Sequence, residues 1–216
     1  MWNEFIELSE IAKQTMKLNC GEPVTTVHGP HTDIRYKSNK TDLANISIID
    51  MREEKKMWMM HIACFSKLSF PMPVYGFDVI CGKNKVTGCF HDMSPTLEKS
   101  NAEARFEEIV KPFVPKRERE LPPWAKEIFS PYMVIAGATS DEQEIKNLSK
   151  MGKENLLIWF DELENRTPST KTSDYLKSLS KYCTNQLANT NSKNVMISLG
   201  LEEDYVNKFK KQQFPY

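Results

Sequence analysis

The sequence predicts an α/β protein: a three-layer α/β/α sandwich in which helices flank a central antiparallel sheet. Short apolar segments at 43–51, 56–65, 74–81 and 85–91 follow one another with only turn residues between them. Such a succession is typical of an antiparallel meander. Helical periodicity precedes this block and dominates the chain after residue 140, so helices are expected to pack on the sheet.

The remaining elements are predicted in chain order from local patterns. Residues 3–18 have apolar side chains at helical spacing, which predicts an amphipathic first helix. Further strands are predicted at 24–27, 33–36 and 132–136, and further helices at 101–110, 140–164, 172–188 and 202–213. Because no stretch resembles a long linker, we expect one domain spanning residues 1–216.

Composition excludes several classes of protein. Lys+Arg and Asp+Glu are both 29, which argues against a nucleic-acid-binding protein, since phosphate contacts need a basic surplus. The acidic start lacks the basic region of a signal peptide, and no apolar run approaches the ~20 residues needed to span a membrane. The absence of both features predicts a cytoplasmic protein. The five cysteines include no C-x-x-C pair, so we expect reduced, buried thiols and no metal site.

Three titratable residues lie in neighbouring predicted strands: Asp50, His61 and Asp78. With helices on both faces, Asp78 is expected to be buried, and a buried carboxylate must be paired, hydrogen-bonded or protonated. A structural role is the commoner explanation for any one of these residues. A histidine beside an aspartate in one pocket would nevertheless form a proton-donating pair near neutral pH.

Four motifs resemble the ferredoxin-dependent bilin reductases, in family order. They are "PVYGFD" at 73–78, "HDMSP" at 91–95, "LPPWAKEIFSPY" at 121–132 and "YCTNQLANTNSKNV" at 182–195. The spacing from His61 to Asp78 is similar to that in the branch containing phycocyanobilin:ferredoxin oxidoreductase. Compact relatives occur in marine cyanobacteria and their phages, so a viral source is compatible with the resemblance.

The resemblance implies a site for biliverdin IXα between the sheet and the C-terminal helices. The protein would bind no cofactor of its own, and external reduced ferredoxin would supply single electrons. Asp78 would be the central proton donor and His61 would share its proton. By their places in the motifs, the substrate-binding residues would be Val74, Gly76, Phe129, Ser130, Asn189 and Asn191.

The expected product depends on Asp50. Phycocyanobilin-forming relatives have a glutamate near the vinyl group of ring D on this strand. Aspartate is one methylene shorter, and small displacements of a catalytic group are costly. The expected product is therefore phycoerythrobilin, formed through dihydrobiliverdin, although an alignment offset of one residue at Asp50 stays open. One alternative is a reductase that forms phycocyanobilin, which reduction of the ring D vinyl group would reveal, or that stops at the dihydro intermediate, which would then accumulate. The other is a non-catalytic bilin carrier, which would show no ferredoxin-dependent absorbance change.

Two other features could contribute to function. Residues 111–126 contain five basic side chains against Glu118 and Glu120, a surplus that could dock an acidic ferredoxin; these are Lys111, Lys116, Arg117, Arg119 and Lys126. A solvated loop is the alternative explanation. "HGPH" at 28–31 is interpreted as a surface turn rather than a metal site. We expect a monomer.

Overall fold

The computed structural model describes residues 2–216 and contains one seven-stranded sheet. Every neighbouring pair is antiparallel, and the strands lie in the order in which they occur in the chain. The strands are β1 (Val24–His28), β2 (His31–Tyr36), β3 (Thr41–Met51), β4 (Met57–Ser66), β5 (Val74–Cys81), β6 (Val86–Ser94) and β7 (Val134–Ala136).

Six α-helices and a short 3₁₀ helix at Pro123–Glu127 accompany the sheet. They are α1 (Trp2–Cys20), α2 (Asn101–Val110), α3 (Glu142–Asn165), α4 (Thr172–Ala188), α5 (Thr190–Ser198) and α6 (Glu203–Gln213). No helix within the described residues is long and apolar enough to cross a membrane.

The main core lies between one face of the sheet and α1, α2 and α3. The residues that β3, β4 and β5 direct to this face are apolar at successive register positions, for example Ile46, Ile62 and Phe77. Gly152 lets α3 approach the sheet closely, because a Cβ atom there would lie 2.6 Å from the ring of Phe77. This face is therefore closed by packing.

Two separate apolar clusters cover the opposite face. The α4 cluster joins Leu43, Phe65 and Val74 to side chains of α4. The α5–α6 cluster joins Ile49, at the far end of β3, to side chains of α5 and α6, including Met196 and Phe209. Along β4 and β5 the two clusters are separated, and we call the space between them the cleft.

The predicted architecture is confirmed: a central antiparallel sheet is flanked by helices on both faces. The sequence prediction missed α5, whose residues "TNSKNVMIS" are mostly polar and bury only Met196. Asn189 caps this helix by accepting a bond from the Asn191 backbone N–H at 3.0 Å. That capping residue was the available signal for a helix start.

Four of the five cysteines are buried as predicted, at positions 64, 81, 89 and 183, whereas Cys20 is only partly buried. Three of those lie in the strands β4, β5 and β6. Burial raises the pKa of Cys81 to about 12 and that of Cys183 to about 11, which keeps both protonated and chemically inert.

Candidate active site

Register brings three polar residues and one phenylalanine together in a row at the floor of the cleft. Ser47 on β3 pairs with His61 on β4, His61 pairs with Asp78 on β5, and Asp78 pairs with Phe90 on β6. Side chains that are directly opposite in an antiparallel pair point to the same face of the sheet. All four therefore point toward the α4–α6 side, between the two apolar clusters.

His61 and Asp78 form a hydrogen-bonded pair. Nδ1 of His61 lies 2.6 Å from Oδ1 of Asp78. The His61 side chain is 15% exposed, and its other ring nitrogen, Nε2, is buried with no hydrogen-bond partner among the described residues. The sequence prediction that these two residues share one site is consistent with this geometry.

The expectation that Asp78 would be buried is wrong. Its side chain is 47% exposed, because the α4 cluster and the α5–α6 cluster leave the middle of β5 uncovered. The neighbouring site-face residues Gly76 and Ile80 are likewise only partly buried. A carboxyl group that is fixed by His61 and open to the cleft can contact a bound molecule directly.

Asp50 does not belong to this group of residues, and its assignment to the site is corrected here. It pairs with Trp58, and its parity on β3 places its side chain on the α1 side of the sheet. It is exposed and accepts bonds from Arg52 Nε at 2.9 Å and Nη2 at 2.7 Å. These bonds lower the pKa of Asp50.

Ile49 takes the position facing the cleft that the sequence prediction assigned to Asp50. It pairs with Met59, is 1% exposed and belongs to the α5–α6 cluster. Adjacent residues of a strand point to opposite faces, so a shift of one residue from Asp50 to Ile49 reverses the face. The acid-bearing position expected at this end of the cleft is apolar.

Four of the predicted substrate-binding residues lie at the α4 end of the cleft, namely Val74, Gly76, Phe129 and Ser130. Val74 is buried in the α4 cluster and Phe129 packs against it. Gly76 lies under Tyr182 of α4, since a Cβ atom there would be 3.8 Å from the Tyr182 hydroxyl. Phe129 meets the same tyrosine edge to face, with 6.2 Å between ring centroids.

Ser130 binds protein rather than open space. Its backbone N–H and hydroxyl donate to the Asp92 carboxyl at 3.0 and 2.5 Å. Asp92 pairs with Gly76 and so points to the site face. Ser130 therefore positions Asp92 beside the cleft and has no free hydroxyl proton of its own.

Asp92 is a residue that the sequence interpretation missed, although it stands in the quoted "HDMSP" motif. It is 2% exposed, and burial raises its pKa to about 6 in spite of the bonds from Ser130 and Ser94.

The neighbouring His91 points to the opposite face. There Nδ1 donates to the Gly76 carbonyl, and Nε2 accepts from Asn155 at 2.9 Å.

Asn189 and Asn191 lie at the junction of α4 and α5, above the sheet. The Asn189 carbonyl and the Leu187 carbonyl accept bonds from Nζ of Lys210 at 2.5 and 3.2 Å. Lys210 is 6% exposed and ties α6 to this junction. Asn191 is exposed.

Arg119 is placed differently from the rest of its basic segment. Its guanidinium lies over the Phe90 ring at 5.9 Å from the centroid and directly against Gly88. Both are site-face residues of β6, paired with Asp78 and Ile80. Arg119 is therefore a cation at the edge of the cleft.

No group of three or more His, Cys, Asp or Glu side chains in residues 2–216 is arranged to hold a metal ion.

Comparison with known proteins identifies the family. The family model for ferredoxin-dependent bilin reductase matches residues 32–209. Phycocyanobilin:ferredoxin oxidoreductase of Trichodesmium erythraeum (strain IMS101) is 25% identical over 147 residues, which is 65% of this chain and 59% of the relative. The match thus spans less than two thirds of that relative's length.

Two solved structures share the fold. PcyX has a TM-score of 0.67 at 22% identity, covering 95% of this chain and 94% of PcyX. Phytochromobilin synthase from tomato, in complex with biliverdin, has a TM-score of 0.73 at 14% identity, covering 95% of this chain and 82% of that one. The sheet, the cleft and the family model agree: the chain belongs to the ferredoxin-dependent bilin reductases, a family of oxidoreductases.

Proposed function

We propose that this protein reduces biliverdin IXα to phycoerythrobilin in two two-electron steps, through dihydrobiliverdin, as a cytoplasmic monomer. Single electrons come from external reduced ferredoxin, and protons come through Asp78 and His61. The observation that carries this proposal is the 2.6 Å His61–Asp78 pair at the floor of a cleft between two apolar clusters.

The cleft suits a flat, largely apolar tetrapyrrole with a polar centre. The partly buried side chains of Met59, Ile80 and Phe90 surround Asp78 on the sheet, and apolar contact with the pigment would release water. The Asp78 carboxyl can bond to pyrrole N–H groups or a lactam oxygen at the middle of the pigment. Val74, Gly76 and Phe129 then shape the α4 end, and Asn189 and Asn191 the end below α5.

Proton delivery follows from the geometry of the pair. Each two-electron step adds two electrons and two protons to the pigment. Asp78 in its protonated form donates one proton to the reduced pigment, and the His61 Nδ1–H replaces that proton across the 2.6 Å contact. His61 stays neutral because its Nε2 accepts a proton as Nδ1 gives one, and the second proton follows by the same route. Because donor and acceptor are held before the electron arrives, the step needs no rearrangement of the site.

The absence of an acid at Ile49 supports phycoerythrobilin as the product. Reduction of the ring D vinyl group needs a proton near that group, and the strand offers a buried isoleucine there. Reduction would then proceed at the methine bridge between rings C and D and at the ring A diene. Phycocyanobilin is the alternative product, and it is the one that names the Trichodesmium relative.

Arg119 is our candidate for binding a propionate of the substrate. Its guanidinium lies at the β6 edge of the cleft, and a guanidinium matches the geometry of a carboxylate. No glutamate or aspartate forms an ion pair with it among the described residues.

The segment that carries Arg119 is also the proposed ferredoxin-docking surface. Lys111, Lys116, Arg117, Arg119 and Lys126 are all exposed. Lys116 pairs with Asp141, and Lys111 lies 3.8 Å from Glu107, so the unpaired cations in the described residues of this segment are Arg117, Arg119 and Lys126. An acidic donor docked here would lie beside the edge of the cleft, a short path for electron transfer.

An anaerobic assay with biliverdin, ferredoxin and a reducing system tests the function, with products separated by chromatography. Phycoerythrobilin with transient dihydrobiliverdin is the expected result. Phycocyanobilin as the main product would contradict the argument from Ile49 and retain the reductase. A tight complex with no ferredoxin-dependent absorbance change would support a bilin carrier instead.

A further inference from the structure

The "HGPH" motif has a buried half that a surface turn does not explain. His28 and His31 pair across the β1–β2 hairpin, and Gly29 adopts a positive φ of 54° in the turn between them. His31 is 0% exposed. It pairs with Ile49 and therefore points to the same face as His61 and Asp78. The interpretation of the whole motif as a surface turn is wrong at His31.

His31 is hydrogen-bonded through both ring nitrogens. Nδ1 lies 2.7 Å from the hydroxyl of Tyr205 on α6, and Nε2 lies 2.7 Å from the hydroxyl of Ser47. The groups around the ring are Asp33, Arg35, His28, Tyr205 and Phe209. Burial, the largest influence, lowers the pKa of His31 to about 4, so the ring is neutral near pH 7.

Ser47 connects this ring to the proposed donor pair. It lies directly opposite His61 in the β3–β4 register, where Cβ atoms are about 4.5–5.5 Å apart. His61 has a buried Nε2 atom without a partner in the described residues. The Ser47 hydroxyl makes no direct bond to that nitrogen in the structure, so one bridging water would complete the connection.

We propose that His31 and Ser47 are positioning residues that resupply protons to the His61–Asp78 pair along a chain that begins at Tyr205. This inference rests on the proposed function. One set of bond directions, with a water between Ser47 and His61, satisfies every group. Tyr205 O–H donates to His31 Nδ1, His31 Nε2–H to Ser47 Oγ, Ser47 O–H to the water, the water to His61 Nε2, and His61 Nδ1–H to Asp78 Oδ1.

Proton transfer along this chain is balanced at every group. Each group accepts one proton and passes one on, so Asp78 gains the proton that it then gives to the reduced pigment. Solvent gives Tyr205 a proton as Tyr205 passes its own to His31, since its side chain is only partly buried and burial raises its pKa. The electron comes from ferredoxin. The two ends of the chain are thus the protein surface below α6 and the floor of the cleft.

The kinetic test compares Ser47→Ala with Ser47→Thr in a single anaerobic turnover. The alanine variant lacks the hydroxyl, whereas threonine retains it and suits a strand. We expect Ser47→Ala to slow the decay of the one-electron-reduced pigment about tenfold, with unchanged biliverdin affinity and an unchanged rate of radical formation. Ser47→Thr should stay within about twofold of the wild type, as should the surface control Ser198→Ala, whose hydroxyl only donates to the Val195 carbonyl.

Wild-type decay in Ser47→Ala, or equally slow decay in Ser47→Thr, would overturn the proposal. A second measurement does not depend on turnover: ¹⁵N NMR of the histidine rings in the ligand-free protein. We expect Ser47→Ala to shift the His61 Nε2 resonance and Ser198→Ala to leave it in place. An unmoved resonance would refute the Ser47–His61 link. Failure of the wild-type assay would instead refute the proposed function.

Discussion

At the residue scale, strand parity decides which acids can serve the site. Asp50 and Ile49 are adjacent in the chain, yet they lie on opposite faces of the sheet because side chains alternate along a strand. The candidate acid Asp50 is one position away from the residue on the cleft side, so it lies in solvent beside Arg52. The pair His61 and Asp78 needed no such adjustment, since the register opposes them directly.

Replacing Ile49 by glutamate tests this assignment. The longer acid would stand at the α5–α6 end of the cleft and offer a proton near the ring D vinyl group. We expect Ile49→Glu to form some phycocyanobilin and to lose a few kcal/mol of stability, because a carboxyl group replaces buried apolar surface. Chromatography of the products and urea unfolding are the two measurements.

Asp50→Asn is the matched control for that experiment. Its side chain lies on the other face and is exposed, so neither product nor rate should change. A change of product in Asp50→Asn, or none in a folded Ile49→Glu variant that still reduces biliverdin, would contradict the placement of Ile49.

At the element scale, the α4–α5 junction and the segment at 111–126 are the parts that we propose contact the substrate and ferredoxin. The junction is fixed by a single buried cation, Lys210, which donates to two main-chain carbonyls. Burial lowers the pKa of Lys210, so the ammonium depends on those carbonyls for its hydrogen bonds. The sequence gives little warning of this tie, because Lys210 resembles its exposed neighbours Lys208 and Lys211.

Lys210→Met should loosen the junction while filling nearly the same volume. Two carbonyls would lose a charged donor, a change that costs about 1–3 kcal/mol. We expect biliverdin affinity to fall about fivefold and amide exchange to quicken around residues 187–191. Lys211→Met, at an exposed neighbouring position, serves as control. Equal affinity in both variants would mean that the junction does not hold the substrate.

The docking segment makes a prediction that depends on charge. Arg117→Glu combined with Lys126→Glu should raise the KM for ferredoxin about tenfold at low salt, and less at high salt, because exposed charges are screened. The double reversal Lys146→Glu with Lys153→Glu at exposed positions of α3 changes the net charge equally outside the 111–126 segment. If both pairs raise KM alike, only net charge matters and the surface is not specific.

At the scale of the whole molecule, the two faces of the sheet have different roles. One is sealed by α1, α2 and α3 into a single core, and the other is divided by the cleft. The closed face provides the rigidity with which the open face holds His61 and Asp78. This division also explains why buried ionisable groups lie beside the site. The polar residues that border the cleft are enclosed by the apolar clusters on either side of it.

Those buried groups predict how stability changes with pH. The pKa of His31 and that of His91 are lowered by burial from 6.5 to about 4, so each contributes stability that is present above pH 6.5 and lost as pH falls toward 4. The pKa of Asp92 is raised from 3.8 to about 6, so its contribution is lost as pH rises through that range. Each histidine contributes about 3 kcal/mol and the aspartate about as much in the opposite direction.

Because two histidines oppose one aspartate, the net effect is a loss of stability on acidification between pH 6.5 and 4. Urea unfolding across this range measures it. Asp92→Asn, whose amide can bond to Ser130 and Ser94, should make the loss steeper by removing the opposing term. A wild-type stability that is flat or rises on acidification would contradict the buried, neutral state of the histidines.

Much of the architecture could be predicted from hydrophobic patterning, because apolar residues form short runs in the meander strands and recur at helical spacing along the long helices. The same is true of His61 and Asp78, whose strands are adjacent and pair directly. The place of Asp92 beside the cleft could not be predicted without knowing its partners Ser94 and Ser130. Helix α5 could not be predicted because it lacks an apolar stripe. The link from His31 to Ser47 depends on three strands in register and on α6, which local pattern does not specify.

The most direct test of the central claim is a single anaerobic turnover of biliverdin bound to Asp78→Asn, followed by absorbance. Asparagine retains the size of the side chain and cannot donate a carboxyl proton. We expect tight binding, normal uptake of the first electron and then a radical that decays about 10²–10⁴-fold more slowly than in the wild type. Formation of product at the wild-type rate would contradict the account, because the pigment would then obtain its protons without Asp78.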